Sequence, residues 1–308
     1  MARIVVSEFM DERAVARLAA AHEVRYESTL VDDPVRLADA AADADALIVR
    51  NRTQVRGALL AAMKRCKVVG RLGVGLDNID LDGCAARGIA VIPATGANAL
   101  AVAEYVIAAA LLLLRGAYLS SAEIAAGRWP REALGKGREA HGKTLGVVGF
   151  GSIGQLTARL ARALGLDVIA FDAMLGAADP VYAATSVEPV SLDQLLARAD
   201  VVSLHVPLVA STRRLFDAAR IAAMKPGAVL VNTSRGGIVD EAALAAALKS
   251  GRLGGAALDV FEAEPLPAAN PLAGCPNLLL TPHIAGVSAE ANERVSLLIA
   301  ERVLEALG

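Results

Sequence analysis

Aromatic side chains are scarce in this chain: they make up 3% of its 308 residues, whereas hydrophobic residues as a group reach 55%. Alanine, valine and leucine must therefore fill most of any core. Basic residues are not in excess either, since the formal net charge is −2, which argues against nucleic acid or an anionic membrane as the main partner. The length favours two domains of ordinary size.

Cysteine is also rare, and Cys66, Cys84 and Cys275 show neither a CxxC pair nor another spacing typical of a metal site. We interpret them as buried or inert thiols and expect no metal ion. Their odd number, together with the lack of a signal peptide, predicts a reducing cytoplasm.

Long hydrophobic runs are missing as well. The most apolar stretch, Tyr105 to Leu114, is bounded by charged residues. It is too short to cross a bilayer, which takes about 20 residues. We interpret it as a helix that is buried in a core or in a subunit interface, and we expect no membrane partner.

What the chain does have is a regular alternation of short apolar runs and longer helical patterns. Runs rich in valine, leucine and isoleucine are typical of strands that are buried on both faces of a parallel sheet. They occupy residues 3–9, 46–50, 67–73, 144–150, 167–172, 200–207, 228–234, 254–260 and 277–282. The helix after the fourth run is expected to bury one apolar face, formed by Ile153, Leu156, Leu160 and Leu164.

The alternation falls into two blocks, roughly residues 1–95 and 143–286, with a long helical segment over about 98–127 between them. An amphipathic helix over about 288–307 follows the second block. This order predicts an α/β fold with two Rossmann-like, doubly wound parallel-sheet domains and a cleft between them.

A glycine-rich turn, GFGSIG, follows the fourth run. Gly149 allows a tight turn, Gly151 lets the backbone approach a pyrophosphate, and Gly154 lets helix and strand pack closely. The next run ends in Asp172, at the distance where an acid binds the adenosine ribose and repels a 2′-phosphate. The pattern predicts NAD rather than NADP; the alternative is a glycine turn beside a solvated aspartate.

Three polar residues follow later runs, where ligands sit in open α/β sheets. His283 could move the proton of a substrate hydroxyl, and Glu264 beside it would stabilise the imidazolium and fix its orientation. Arg235 could grip a substrate carboxylate through two parallel hydrogen bonds. Taken singly, each has a structural alternative: a satisfied core histidine, a loop acid, and an arginine paired with Asp240 or Glu241.

At these residues the chain resembles the D-isomer-specific 2-hydroxyacid dehydrogenases. The resemblance covers almost the whole chain, in matching order and spacing. Its segments are residues 70–80, 98–107, 141–154, 199–208, 224–241, 257–267 and 281–286. The pattern is similar to the phosphoglycerate dehydrogenase branch without its C-terminal regulatory domain, and Val6 to Glu12 resembles the sulfolactate dehydrogenase branch.

The resemblance implies roles for individual residues. His283 matches the acid/base, Glu264 its carboxylate partner, and Arg235 the anchor of the substrate carboxylate. The positions that match cofactor contacts are Gly149, Gly151, Ser152, Ile153, Gly154, Asp172, Val206, Pro207, Thr233, Ser234, Asp259 and Gly286. Asp259 matches a residue near the nicotinamide carboxamide, and its alternative is a cap at a strand end. The expected substrate contacts are Arg50, Asn51, Arg52, Val74, Gly75 and Asn98.

The resemblance also implies a discontinuous domain arrangement. Residues 1–97 with 287–308 are expected to form the substrate domain, and residues 98–286 the NAD-binding domain. The chain is expected to form a homodimer through the segment over 98–127.

The identity of the substrate depends on the loop VRNRT, in which Arg50 and Arg52 suggest a second anion on the substrate. A 2-hydroxy acid with an anionic group on C3, such as 3-phosphoglycerate or 3-sulfolactate, fits; surface arginines beside carboxylates are the alternative. Glyoxylate, hydroxypyruvate and D-lactate remain open. Ala101 stands where the family often has serine or threonine, and Asn51 stands where serine is frequent. Both positions affect substrate selectivity in the family.

Two other function classes share part of these features. An NAD(H)-sensing interaction protein would keep the glycine turn and the polar triad but lack turnover. A methyltransferase that uses S-adenosylmethionine would share the glycine turn alone and leave Arg235, Glu264 and His283 unexplained.

Overall fold

The computed structural model describes the backbone of residues 1–308 and the side chains of all of them except Leu119. The chain divides into two compact units, Met1–Asn98 with Val287–Gly308, and Ala99–Gly286. Each unit contains one parallel sheet, which confirms the predicted α/β class.

The first unit has a five-stranded sheet in the order β2-β1-β3-β4-β5. Its strands are β1 (Arg3–Val6), β2 (Glu23–Tyr26), β3 (Ala46–Val49), β4 (Val68–Arg71) and β5 (Ala90–Pro93). Its helices are α1 (Glu12–Ala19), α2 (Pro34–Ala42), α3 (Gly57–Ala62), α4 (Leu81–Ala85) and the last helix of the chain, α13 (Ala289–Leu307), with a 3-10 turn at Leu30–Asp32.

The helix α13 completes the core of the first unit. It begins after Ser288, whose hydroxyl accepts the N–H of Ala291. The helix lies so close to β4 that a Cβ on Gly70 would be 2.7 Å from Ile299 Cγ2. The last twenty residues of the chain therefore pack on the sheet that the first hundred residues build.

The second unit has a seven-stranded sheet in the order β12-β11-β10-β9-β6-β7-β8. Its strands are β6 (Thr144–Val148), β7 (Asp167–Phe171), β8 (Glu188–Pro189), β9 (Val201–Leu204), β10 (Val229–Asn232), β11 (Gly255–Leu258) and β12 (Leu278–Leu280). Its helices are α5 (Ala99–Arg115), α6 (Ser121–Ala125), α7 (Arg131–Leu134), α8 (Ser152–Ala163), α9 (Pro180–Thr185), α10 (Leu192–Arg198), α11 (Ala218–Ala223) and α12 (Glu241–Lys249), with a 3-10 turn at Ala117–Ser120.

The buried face of α8 differs from the expectation. Its fully buried positions are the small residues Gly154, Thr157, Ala158 and Ala161, whereas Ile153, Leu156 and Leu160 are half-buried and Leu164 is exposed. The prediction was wrong because the helix packs too closely for large side chains: a Cβ on Gly154 would lie 2.3 Å from the carbonyl oxygen of Gly149.

The segment predicted as one long helix over 98–127 is divided. Helix α5 ends at Arg115, because Gly116 takes a left-handed conformation with φ of 67°. A 3-10 turn and the short helix α6 follow. Among the described residues, no helix combines the length and the apolar character needed to cross a membrane.

Candidate active site

The glycine turn joins β6 to α8 in the second unit. Gly149 has φ of 93°, and a Cβ on it would lie 2.6 Å from the carbonyl oxygen of His205. Gly154 is equally constrained by its own chain, as described above. Gly151 has an ordinary φ of −76°, and a Cβ on it would meet no atom within 4 Å. Packing within the protein thus requires two of the three glycines, whereas the space beside Gly151 is open.

The start of α8 suits an anionic group. The N-cap residue, Gly151, offers no side chain to the first-turn N–H groups, and no acidic residue lies in that turn. Those N–H groups have no partner inside the helix, and the helix dipole places partial positive charge there. The backbone at Ser152 and Ile153 can therefore hold a diphosphate.

Asp172 lies directly after β7, and hydrogen bonds hold its side chain next to the glycine turn. Its Oδ2 accepts the N–H of Phe150 at 2.7 Å, and its Oδ1 accepts the N–H of Met174 at 2.8 Å. Each carboxylate oxygen has a further lone pair, which can accept a ribose hydroxyl.

The remaining predicted cofactor contacts of the second unit follow the neighbouring strands. Val206 and Pro207 follow β9, and Thr233 and Ser234 follow β10. The Ser234 hydroxyl donates to the carbonyl oxygen of Leu204 at 2.6 Å. The Thr233 hydroxyl oxygen is buried and has no hydrogen-bond partner among the described residues, as expected of an atom that a ligand completes.

His283 and Glu264 form a hydrogen-bonded pair. The distance from His283 Nδ1 to Glu264 Oε2 is 2.8 Å, and the two side chains are 39% and 35% exposed, so a small molecule can reach them. Burial raises the pKa of Glu264, but hydrogen bonds from His283 and from the Phe261 N–H, with the charges of His283 and Arg235, outweigh burial and lower it. Glu264 is therefore an anion beside the imidazole.

The loop that carries His283 is held by Asp259, the residue after β11. His283 has φ of 56°, a left-handed conformation that is unfavourable for a residue with a Cβ. Its N–H donates to the Asp259 carbonyl oxygen, and the N–H groups of Ile284 and Ala285 donate to the two carboxylate oxygens, all at 2.8 Å. Asp259, which is 1% exposed, thus acts on the loop as the cap that was its alternative interpretation.

Arg235 lies in the turn after β10. The buried side chain of Asn232 clamps this turn: its Oδ1 accepts the N–H of Ser234 and its Nδ2 donates to the carbonyl oxygen of Arg235, both at 3.0 Å. Arg235, Glu264 and His283 therefore follow three adjacent strands, β10, β11 and β12. Asn232 was not singled out from the sequence, although a polar residue that ends a buried run is a usable signal.

The first unit holds the arginine loop through a carboxylate that sequence reasoning also missed. Glu8 is 4% exposed, and its Oε1 accepts the N–H groups of Arg50 and Thr53 at 2.8 and 3.0 Å. Its Oε2 accepts the N–H of Arg52 at 3.1 Å. The Asn78 amide donates to the carbonyl oxygens of Arg50 and Thr53, so both sides of the loop backbone are bonded.

The two arginine side chains of this loop differ. Arg50 stacks over the Phe9 ring at 5.7 Å and donates to Asn292 Oδ1 at 2.6 Å. Burial lowers the pKa of Arg50, and the charge of Glu8 opposes that effect. Arg52 is exposed and forms an ion pair with Asp32.

The other predicted substrate contacts also belong to the first unit. Asn51 and Val74 are exposed, and Gly75 is partly buried. The Oδ1 atom of Asn98 is buried and has no hydrogen-bond partner within the described part of the chain.

A parallel sheet with a glycine turn at a helix start, an acid at the end of the next strand and a histidine–carboxylate pair is typical of a dinucleotide-dependent oxidoreductase. Residues 107–285 match the family model for the D-isomer specific 2-hydroxyacid dehydrogenase, NAD binding domain. The chain belongs to this family. The predicted family, the NAD cofactor and the oxidoreductase class are thus confirmed.

Three similar proteins illustrate the match. The chain is 53% identical to the (S)-sulfolactate dehydrogenase of Chromohalobacter salexigens, over 100% of this chain and 99% of that one. It is 41% identical to the D-3-phosphoglycerate dehydrogenase of Mycobacterium leprae, over 99% of this chain but 56% of that longer protein. The TT0316 protein from Thermus thermophilus superposes with a TM-score of 0.90 at 35% identity, covering 99% of this chain and 96% of that one.

Proposed function

We propose that the chain interconverts a 2-hydroxy acid and its 2-keto acid, with 3-sulfolactate or 3-phosphoglycerate as substrate. The observation that carries the reaction is the pair of His283 Nδ1 and Glu264 Oε2 at 2.8 Å, exposed at the end of β12. The names of the two relatives with matched sequences support a C3 anion, and Arg50 and Arg52 are the charges that fit it.

His283 is the proposed acid/base. Because Nδ1 is engaged by Glu264, Nε2 is the nitrogen that faces the reaction. In reduction the imidazolium donates its Nε2 proton to the 2-oxo oxygen, and in oxidation the neutral ring accepts the hydroxyl proton. Glu264 holds the ring orientation and stabilises the imidazolium.

NAD(H), when bound, supplies or accepts the hydride at C2 of the substrate. The proposed diphosphate contacts are the backbone groups from Gly149 to Gly154, and Asp172 binds the ribose hydroxyls. The other proposed contacts are Val206, Pro207, Thr233, Ser234, Asp259 and Gly286. The unpartnered Thr233 hydroxyl and the open space beside Gly151 support this assignment.

The substrate is assigned two anchors. Arg235 binds the C1 carboxylate through two parallel hydrogen bonds, with Val74, Gly75 and Asn98 as further proposed contacts. Arg50, Asn51 and Arg52 recognise the anion on C3. We therefore assign cofactor binding and the Arg235 anchor to residues 99–286, and the remaining substrate contacts to residues 1–98 with 287–308.

A panel of keto acids with NADH tests the substrate. 3-Sulfopyruvate and 3-phosphohydroxypyruvate should give kcat/KM at least tenfold above hydroxypyruvate, glyoxylate and pyruvate. Equal kcat/KM for all five compounds would refute the role given to the arginine loop.

The variant His283→Ala tests the acid/base role. It should abolish turnover while NADH still binds; turnover at the wild-type rate would refute this role.

We also infer a cytoplasmic homodimer formed through residues 98–127. Exposed apolar side chains on this segment support the interface, namely Leu111, Tyr118 and Ile124. The three cysteines are free thiols, which fits a reducing compartment. Light scattering of Ile124→Glu against wild type tests the interface: the variant should shift to the monomer mass, and an unchanged dimer would place the contact elsewhere.

A further inference from the structure

Tyr105, on α5, is hydrogen-bonded to Thr281, two residues before His283. Its hydroxyl lies 2.6 Å from the Thr281 hydroxyl, and Thr281 Oγ1 donates to Asp259 Oδ1, also at 2.6 Å. Tyr105 is half-buried, and burial raises its pKa, with the Thr281 hydrogen bond acting in the opposite direction. The tyrosine therefore keeps its proton at neutral pH.

The direction of this chain of hydrogen bonds follows from counting protons. A threonine hydroxyl has one proton, and Thr281 gives it to the carboxylate of Asp259. Tyr105 must therefore be the donor in its bond with Thr281. The tyrosine O–H points to the threonine, and the threonine O–H points to Asp259.

Asp259 connects the Thr281 hydroxyl to the backbone of the His283 loop. Its Oδ1 is shared by the Thr281 hydroxyl and the Ile284 N–H, its Oδ2 accepts the Ala285 N–H, and its carbonyl oxygen accepts the His283 N–H. If Oδ1 loses its hydroxyl donor, the carboxylate can rotate, and both backbone bonds change with it. The left-handed backbone of His283 depends on those bonds.

We propose that Tyr105 is a positioning residue for the reaction, whose hydroxyl fixes the pose of His283 through Thr281 and Asp259. This inference rests on the proposed acid/base role of His283. It links helix α5, which lies on one face of the sheet, to the proton-transfer group beyond the end of β12.

The first test removes single hydroxyls. Tyr105→Phe should lower kcat about three- to tenfold and leave the Kd for NADH within twofold, because one neutral hydrogen bond is lost away from the cofactor turn. Thr281→Val should lower kcat more, whereas Thr281→Ser, which keeps the hydroxyl, should stay within about threefold of wild type. Thr185→Val, which removes a hydroxyl bonded to the Val181 carbonyl oxygen of α9, is the matched control and should leave kcat unchanged.

The second test asks whether the effect passes through the proposed route. The double variant Tyr105→Phe with Thr281→Val should be no slower than Thr281→Val alone, because the route is already broken at the threonine. The Kd for NADH should stay within twofold of wild type in the double variant as well. A general structural role would make the two losses in kcat additive and would weaken NADH binding.

The outcomes separate the two proposals. Wild-type kcat in Tyr105→Phe, or additive losses in the double variant, would overturn the positioning role even if His283→Ala is inactive. Full activity in His283→Ala would instead overturn the proposed function. If Thr281→Val does not fold, Tyr105→Phe and Thr281→Ser still decide the matter.

Discussion

Replacing Gly151 by alanine should weaken cofactor binding and leave the stability of the fold almost unchanged. The new Cβ meets no atom of the protein within 4 Å, and its φ of −76° is normal for alanine. Alanine is a poorer N-cap than glycine, but it also reduces the entropy of the unfolded chain. These effects oppose each other, so the free energy of unfolding should change by less than about 1 kcal/mol.

The expected loss of affinity comes from the diphosphate. A methyl group at this position separates the ligand from the N–H groups at the start of α8. A hydrogen bond to a charged group contributes roughly 1.5–3 kcal/mol. Loss of one such bond corresponds to an increase of about 10- to 150-fold in the Kd for NADH.

Gly154→Ala provides the contrast within the same turn. Its Cβ would lie 2.3 Å from the carbonyl oxygen of Gly149 and 3.0 Å from Val147 Cγ1. Such overpacking typically costs about 1–3 kcal/mol, so this variant should melt at a clearly lower temperature. Titration of NADH by calorimetry and thermal unfolding of both variants are the measurements. Wild-type NADH affinity in Gly151→Ala would refute the assignment of the turn.

Four further outcomes follow from the same geometry. Asp172→Ser should narrow the preference for NADH over NADPH at least tenfold, measured as a ratio of kcat/KM, since the charge that repels a 2′-phosphate is lost. Glu264→Gln should lower kcat for reduction about 10- to 100-fold, because His283 keeps a hydrogen bond but loses its counter-charge; wild-type kcat would contradict this. Glu8→Gln should lower the free energy of unfolding, measured with urea, by about 1–3 kcal/mol, because the amide has one acceptor oxygen where the carboxylate has two. The same variant should reduce kcat/KM for substrates with a C3 anion more than kcat/KM for glyoxylate. Burial lowers the pKa of His205 from 6.5 to about 4. As the pH falls from 6.5 to 4, the unfolded chain therefore binds a proton at this histidine before the folded chain does. The free energy of unfolding should decrease over this range by at most about 3 kcal/mol, and His205→Asn should lack this decrease.

Most of the strands that the sequence predicted are buried; the exception is the edge strand β12, which is half-buried to exposed but consists of three leucines. Each of the nine apolar runs contains one strand, and each strand begins or ends at most three residues inside the limits of its run. The three strands that were missed, β2, β5 and β8, all lie at sheet edges. Strand β2 alternates exposed and half-buried residues, and β5 ends at Pro93, which an edge position tolerates. An edge strand buries less apolar surface, so its sequence signal is weaker.

The placement of Arg235, Glu264 and His283 after neighbouring strands was predictable for a topological reason. Arg235, Glu264 and His283 each follow an apolar run, and successive strands of such a fold are often neighbours in the sheet. The structure has β10, β11 and β12 side by side. Glu8 was not predictable, because the N–H groups that it accepts lie 42 to 45 residues further along the chain.

The buried polar groups at the strand ends explain how these loops keep their shape. Asn232 clamps the turn of Arg235, Asp259 clamps the loop of His283, and Glu8 clamps the loop of Arg50. Each of them is nearly fully buried and binds backbone groups, so its removal leaves unpaired N–H groups in the interior. The side chains assigned to the reaction are more exposed and carry little of the packing. Substitution of a clamp should therefore reduce both stability and turnover, whereas substitution of His283 should reduce turnover alone.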